Sequence, residues 1–115
     1  MNELVKKLSE KDYSVVVNRP DRSSKALEER IRLRLVHVLF EETGTELGLR
    51  LDTSKCDYRQ GDFANGNGKI HLQGVLTLNG ERVRCVADVE LDSMKGFGRL
   101  EPIAEEVYKT ILTQQ

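Results

Sequence analysis

Tryptophan is absent from the 115 residues, proline and cysteine occur twice each, and only three tyrosines and three phenylalanines supply aromatic rings. Each shortage excludes something. Tyr13, Tyr58, Phe63 and Phe97 do not fall at the spacing of a base-stacking platform on a sheet face. Cys56 and Cys85 cannot make a disulfide scaffold, and with no secretory signal ahead of them they read as reduced structural residues. No apolar run nears the ~18 residues of a membrane span. The start Met1-Asn2-Glu3-Leu4-Val5-Lys6-Lys7 lacks the apolar stretch of a signal peptide, so a cytoplasmic location is expected. Repeats, low-complexity tracts and Pro/Gly/Ser-rich linkers are also missing, which predicts one domain over residues 1–115, with 1–12 either a docked or a frayed N-terminal helix. Neither sign of charge dominates. Eighteen Lys+Arg against 19 Asp+Glu leave a formal net charge of −1, too little for nucleic-acid binding by bulk charge alone.

Reactive constellations are equally scarce. His37 and His71 stand on different predicted elements, and no His or Cys spacing matches a zinc site. No serine sits in a Gly-x-Ser-x-Gly context, and no carboxylate pair stands out from the charged background. The stretch Gly61-Asp62-Phe63-Ala64-Asn65-Gly66-Asn67-Gly68-Lys69 has the glycines of a phosphate loop but not its context. Lys69 is followed by Ile70 and opens a strand rather than a helix, and Ala64 stands where a calcium loop needs an oxygen ligand. The expectation is a protein without catalytic residues, metal or cofactor.

What is present is enough apolar side chain, 38%, for a modest core under a surface drawn from 32% charged residues. Leu4, Val5 and Leu8 at helical spacing predict a short N-terminal helix over 2–9, which needs docking to be stable. Ser14-Val15-Val16-Val17-Asn18 reads as a β-branched strand closed by Arg19-Pro20. Residues 24–43 fit two patterns. Ile31-Arg32-Leu33-Arg34-Leu35 alternates like a strand, but the length of the window, a serine or aspartate cap at its start and Thr43-Gly44 at its end favour one helix of about five turns. On that helix Leu27, Ile31, Leu35, Val38 and Leu39 share one face, while Leu33, Val36 and Phe40 cluster roughly opposite. A helix on a single sheet buries one stripe, so the second cluster calls for a terminal helix or a partner chain.

Leu47, Leu49 and Leu51 alternate with polar or glycine positions as a half-buried strand, and Cys56 and Tyr58 suggest a further short one. Two alternating runs joined by Asn79-Gly80 predict a type I′ hairpin. Its paired positions sum to 159, setting Leu76 against Val83, Gly74 against Cys85, Leu72 against Ala87 and Ile70 against Val89 on one face. The other face pairs Thr77 with Arg82, His71 with Asp88 and Lys69 with Glu90. Gly74 opposite Cys85 leaves a shallow centre open to close approach. Glu101-Pro102-Ile103, followed by Val107 and Ile111, predicts a final helix over about 102–113 with proline at its first position.

The pattern predicts an α+β domain in the order α-β-α-β-β-β-β-α: a mostly antiparallel sheet of four to five strands with one long helix packed on it and a C-terminal helix. Double-stranded-RNA-binding modules share the order helix, three strands, helix. They grip phosphate with Lys near the start of the last helix, whereas here Arg99-Leu100-Glu101-Pro102 leads into Glu105-Glu106. The leading functional expectation is a small non-enzymatic interaction module, an adaptor or regulator that pairs with itself as a homodimer or with another protein through Leu33, Val36 and Phe40. An alternative is a nucleic-acid-associated factor using Arg22, Lys25, Arg30, Arg32 and Arg34 of the basic segment 19–34. A second alternative is a binder of a small apolar ligand between helix and sheet, with Gly74 as the floor of its pocket.

Overall fold

In the computed structural model, which describes residues 2–17 and 23–114, the elements run α1 (Glu3–Leu8), β1 (Tyr13–Val17), α2 (Ser24–Arg32), β2 (Leu35–Phe40), β3 (Thr45–Leu51), β4 (Gly61–Asp62), β5 (Asn67–Leu78), β6 (Glu81–Glu90), β7 (Lys95–Pro102) and α3 (Glu105–Leu112). All strand pairs are antiparallel, in the order β3-β2-β1-β7-β6-β5-β4. A further pairing of β3 with β5, Arg50 opposite Val75 and Leu51 opposite Gly74, closes six of the strands into a barrel. The expected mostly antiparallel sheet of four to five strands with one long helix packed on it is therefore wrong. The molecule is mostly a closed six-stranded antiparallel β-barrel with three short helices.

The predicted helix over 24–43 is half helix and half strand. Ser23 caps α2 by accepting from the Ala26 N–H, and the helix stops at Leu33, because Arg34 turns the chain with φ 63°. From there Leu35–Phe40 runs as β2, with Val36, Val38 and Phe40 fully buried and Leu35, His37 and Leu39 turned outward. The surplus of apolar positions that no single helix stripe accommodates is the alternation of a strand. Thr43-Gly44, read as a helix stop, lies in the turn between β2 and β3, where Gly44 takes φ 67°.

The β5–β6 hairpin has the predicted register throughout, from Lys69 opposite Glu90 to Thr77 opposite Arg82, around Asn79 and Gly80 at φ 50° and 84°. The expected His71–Asp88 pair is present at 2.8 Å. The strand through Leu47, Leu49 and Leu51 and the docked N-terminal helix also form; Val5 and Leu8 of α1 are buried. Cys56 and Tyr58 belong to no strand; only an isolated bridge joins Asp57 to His71. Pro102 does not open a helix but ends β7, opposite Val83, and α3 begins at Glu105. Arg19-Pro20 lies outside the described residues.

Inward side chains from every barrel strand fill the interior, among them Val15, Val38, Leu49, Leu72, Cys85 and Leu100, with Leu8 of α1 and Leu27 of α2 in the same cluster. Each such leucine contributes about 1.5–3 kcal/mol on burial. The arrangement expected for a ligand pocket, a long helix over the sheet, does not occur among the described residues: the hairpin's inner side chains Leu72, Leu76, Val83 and Cys85 belong to the filled barrel core. The space before Gly74 is taken by β3 itself: a Cβ on Gly74 would meet the Arg50 carbonyl oxygen and the Leu49 Cβ at 2.9 Å each.

Candidate partner-docking face

β3 and β5 diverge soon after they meet. Their pairing covers Arg50 and Leu51, with the Asp52 N–H donating to the Gln73 carbonyl at 2.9 Å. Residues 45–49 of β3 and 76–78 of β5 therefore have no strand partner across this seam. A groove of about 450 Å³ opens there, lined by Leu35, Glu46, Gly48, Arg50, Thr77, Leu78, Tyr108 and Leu112 among others. Strand alternation sets its wall. The outward row of β2 is Leu35, His37 and Leu39, paired with Arg50, Gly48 and Glu46 of β3. Gly48 has no side chain, so backbone lies open between Glu46 and Arg50, with the His37 ring at 3.5 Å and Leu35 Cδ1 at 3.9 Å from the place a Cβ would occupy.

Helix α3 borders the groove and is fixed at both ends. Near its start, Arg82 donates from Nε to Glu105 at 2.8 Å, lies 4.6 Å from the Tyr108 ring centroid and donates to Thr77 Oγ1 at 2.7 Å. After its end, Gln114 donates to Asp52 Oδ1 at 3.0 Å and accepts at its backbone carbonyl from Arg34 at 2.7 Å. Asp52 also accepts from Arg84 at 2.9 Å and from Ser54 at 2.8 Å, with side chains of Asp52 and Arg84 only 4% and 12% exposed. Burial pushes the Asp52 carboxyl up, but hydrogen bonds from Gln114, Arg84 and Ser54 outweigh it and hold the group below its ordinary value. A second hydrogen bond links this cluster to the hairpin: Arg84 donates to Gln73 Oε1 at 3.2 Å.

Exposed apolar side chains gather on the same side. Leu35 and Leu112, 41% and 40% exposed, line the groove, and Leu33, 62% exposed, lies in the turn leading into Leu35. Phe97, on β7 across the ring from β3, and Val107 on α3 are the other exposed large apolar side chains among the described residues. The concavity beside Phe97, about 420 Å³, is walled by side chains already paired within the chain: His71 with Asp88, Asp57 with Arg59, and Lys95 with Glu41 at 3.8 Å.

Of the interaction residues expected from sequence, Leu33 is at the surface, whereas Val36 and Phe40 are fully buried in the barrel and present nothing to a partner. Of the basic set, Arg22 lies outside the described residues, Lys25, Arg30 and Arg32 ride on α2, and Arg34 turns its guanidinium to the Gln114 carbonyl. Arg32 is paired with Glu29 at 2.7 Å. Sequence reading missed Leu35, Arg50, Tyr108 and Leu112. The strand-like alternation around Leu35 was the signal for the first and would have set Arg50 opposite it; Tyr108 and Leu112 join them only when the barrel closes. No group of His, Cys, Asp or Glu suited to a metal ion occurs among the described residues, and both cysteines are free.

The family model described as core binding factor beta subunit matches residues 1–114. Comparison with curated proteins gave no match. That family consists of non-catalytic transcription co-factors that bind protein partners. A barrel with a filled interior and an open apolar seam on its outside suits such a role, and the chain belongs to the core binding factor beta subunit family, as a small non-enzymatic protein-interaction module.

Proposed function

We propose that this chain is the partner-binding subunit of a heterodimer with a Runt-domain transcription factor, and that it acts on DNA only through that partner. The observation that carries the reading is the seam between β3 and β5, where exposed Leu35 and Leu112 flank a groove with unpaired strand edges on both sides. Such a groove offers both parts of a specific contact: apolar anchors for affinity, and backbone or polar groups that fix orientation. Partner-borne DNA contact accords with a surface of formal net charge −1. The adaptor role follows: the subunit alters the partner's affinity or stability without touching bases.

Self-association draws on the same apolar patch. Two copies joined through Leu33, Leu35 and Leu112 would hide the groove, so a homodimer and the heterodimer compete for one face. Titration calorimetry with a Runt-domain protein tests the reading. Leu35→Arg is expected to weaken binding at least about tenfold while leaving the circular dichroism spectrum unchanged. Wild-type affinity in that variant refutes the seam as the docking face. Sedimentation velocity of the free subunit then shows whether the same substitution removes any dimer.

A further inference from the structure

Among the described residues lining the groove, Arg50 carries the one buried side-chain polar atom that the fold leaves without a partner. Its Nε is buried and has no hydrogen-bond partner among the described residues. The contrast with other arginines is sharp. Arg32, Arg59, Arg82, Arg84 and Arg99 each meet a carboxylate within 3.0 Å, Arg34 meets a carbonyl at 2.7 Å, and Arg30 stands exposed to water on α2. The nearest acidic residues in sequence do not serve Arg50. Asp52 is taken up by Arg84, Gln114 and Ser54, and Glu46 lies two strand repeats away, beyond Gly48.

We propose that Arg50 is the charged anchor of the docking face, a specificity-determining residue that receives a carboxylate side chain from the protein partner. The inference rests on the seam reading above and adds the chemistry of what enters it. Three features favour a carboxylate. A guanidinium presents Nε and a terminal nitrogen as a fork that matches the two oxygens of a carboxylate, and here one prong of that fork is idle. Holding that N–H away from both water and an acceptor makes the resting rotamer unfavourable, so swinging the group toward an incoming acceptor recovers a bond that the free protein lacks. The surroundings, Leu35 directly opposite on β2 and Leu112 on α3, would exclude water from the pair once a partner is seated. Gly48, one outward position along β3, leaves room for the partner's chain to approach closely enough to deliver a short acidic side chain.

The experiment measures binding of a Runt-domain protein by titration calorimetry for Arg50→Gln, Arg50→Lys and Leu35→Arg, each at low and high salt, with thermal unfolding as the check on folding. Arg50→Gln is expected to weaken binding about tenfold or more and to flatten its salt dependence, and Arg50→Lys, which keeps charge without the fork, to fall between. Arg50→Glu should be rescued by changing one Asp or Glu of the partner to Lys. If Leu35→Arg abolishes binding while Arg50→Gln binds within about twofold of wild type, the face stands and the anchor is refuted. Loss of affinity in Arg50→Gln with undiminished salt dependence and no rescuing partner substitution also refutes it. If Leu35→Arg binds normally, the docking face itself is wrong, whatever Arg50 does.

Discussion

Gly74 and Leu49 approach so closely that a Cβ on the glycine would stand 2.9 Å from the leucine Cβ, and this contact is where the barrel closes. The Arg50 carbonyl oxygen is equally near, and neither backbone nor Cβ can swing aside as a flexible side-chain end would. Gly74→Ala is therefore expected to lose about 2 kcal/mol or more, read as a lower urea midpoint, although the same change in an unconstrained strand is nearly neutral or favourable. An unchanged midpoint would mean that β3 does not press on position 74.

Phe40 and Leu35 lie on opposite faces of the same strand, β2. Phe40→Asp places an uncompensated charge in the barrel interior and removes a ring that meets Tyr13 edge-on at 6.4 Å. The expected result is loss of the folded state, since the cost exceeds about 3 kcal/mol. Leu35→Arg should stay folded. Far-ultraviolet circular dichroism of the two proteins separates the outcomes.

Asp52 gives the fold an acid limit. Its folded-state carboxyl titrates below the ordinary value of 3.8, so its contribution is fully present above that value and is lost as pH falls through the folded value. Asp52→Asn leaves Arg84 buried without its counter-charge and should cost about 3 kcal/mol near neutral pH. The variant should also lose less stability than wild type on acidification. Urea midpoints collected from pH 7 down to pH 3 test both statements.

Arg82 holds the start of α3 from outside. Both it and Glu105 are partly exposed, and Arg82→Ala should leave barrel stability nearly intact while amide exchange in α3, beginning at the Tyr108 N–H bonded to Ala104, becomes faster. Uniformly faster exchange across the barrel strands would instead make Arg82 part of the global fold.

Legibility in the sequence followed the range of the interactions. The β5–β6 hairpin could be read to the residue because Asn79-Gly80 and two alternating runs specify it within a few positions. The N-terminal helix and the strand through Leu47, Leu49 and Leu51 were legible for the same local reason. Residues 33–40 were not, because Leu33, Leu35, Val36, Val38, Leu39 and Phe40 satisfy a crude helical stripe as well as a strand; the decision rests on Arg34 adopting φ 63°, which an arginine does not advertise. β7 was missed since Gly96, Gly98 and Pro102 dilute its pattern. Closure was out of reach: the feature noticed at Gly74 was real, but what fills it is a strand from the other half of the chain. The docking face inherits that difficulty, because Leu78 and Leu112 join Leu35 and Arg50, which face each other across β2 and β3, only after closure.

The ladder between β1 and β7 pairs Tyr13 with Gly98 and Val16 with Lys95, spanning most of the chain's length. During synthesis β1 emerges early and must wait, its edge toward β7 unpaired, until the ribosome has released the residues of β7; β2 and the β5–β6 hairpin can form in the meantime. Such long-range closure slows folding and leaves a β-branched edge open to wrong pairing in the interval. The polar Ser14 within β1 and the charged Lys6, Lys7 and Lys11 just before it place hydrophilic side chains beside that waiting edge. Translation order thus puts a demand on residues 2–17 that the finished barrel, with both edges of β1 paired, no longer shows.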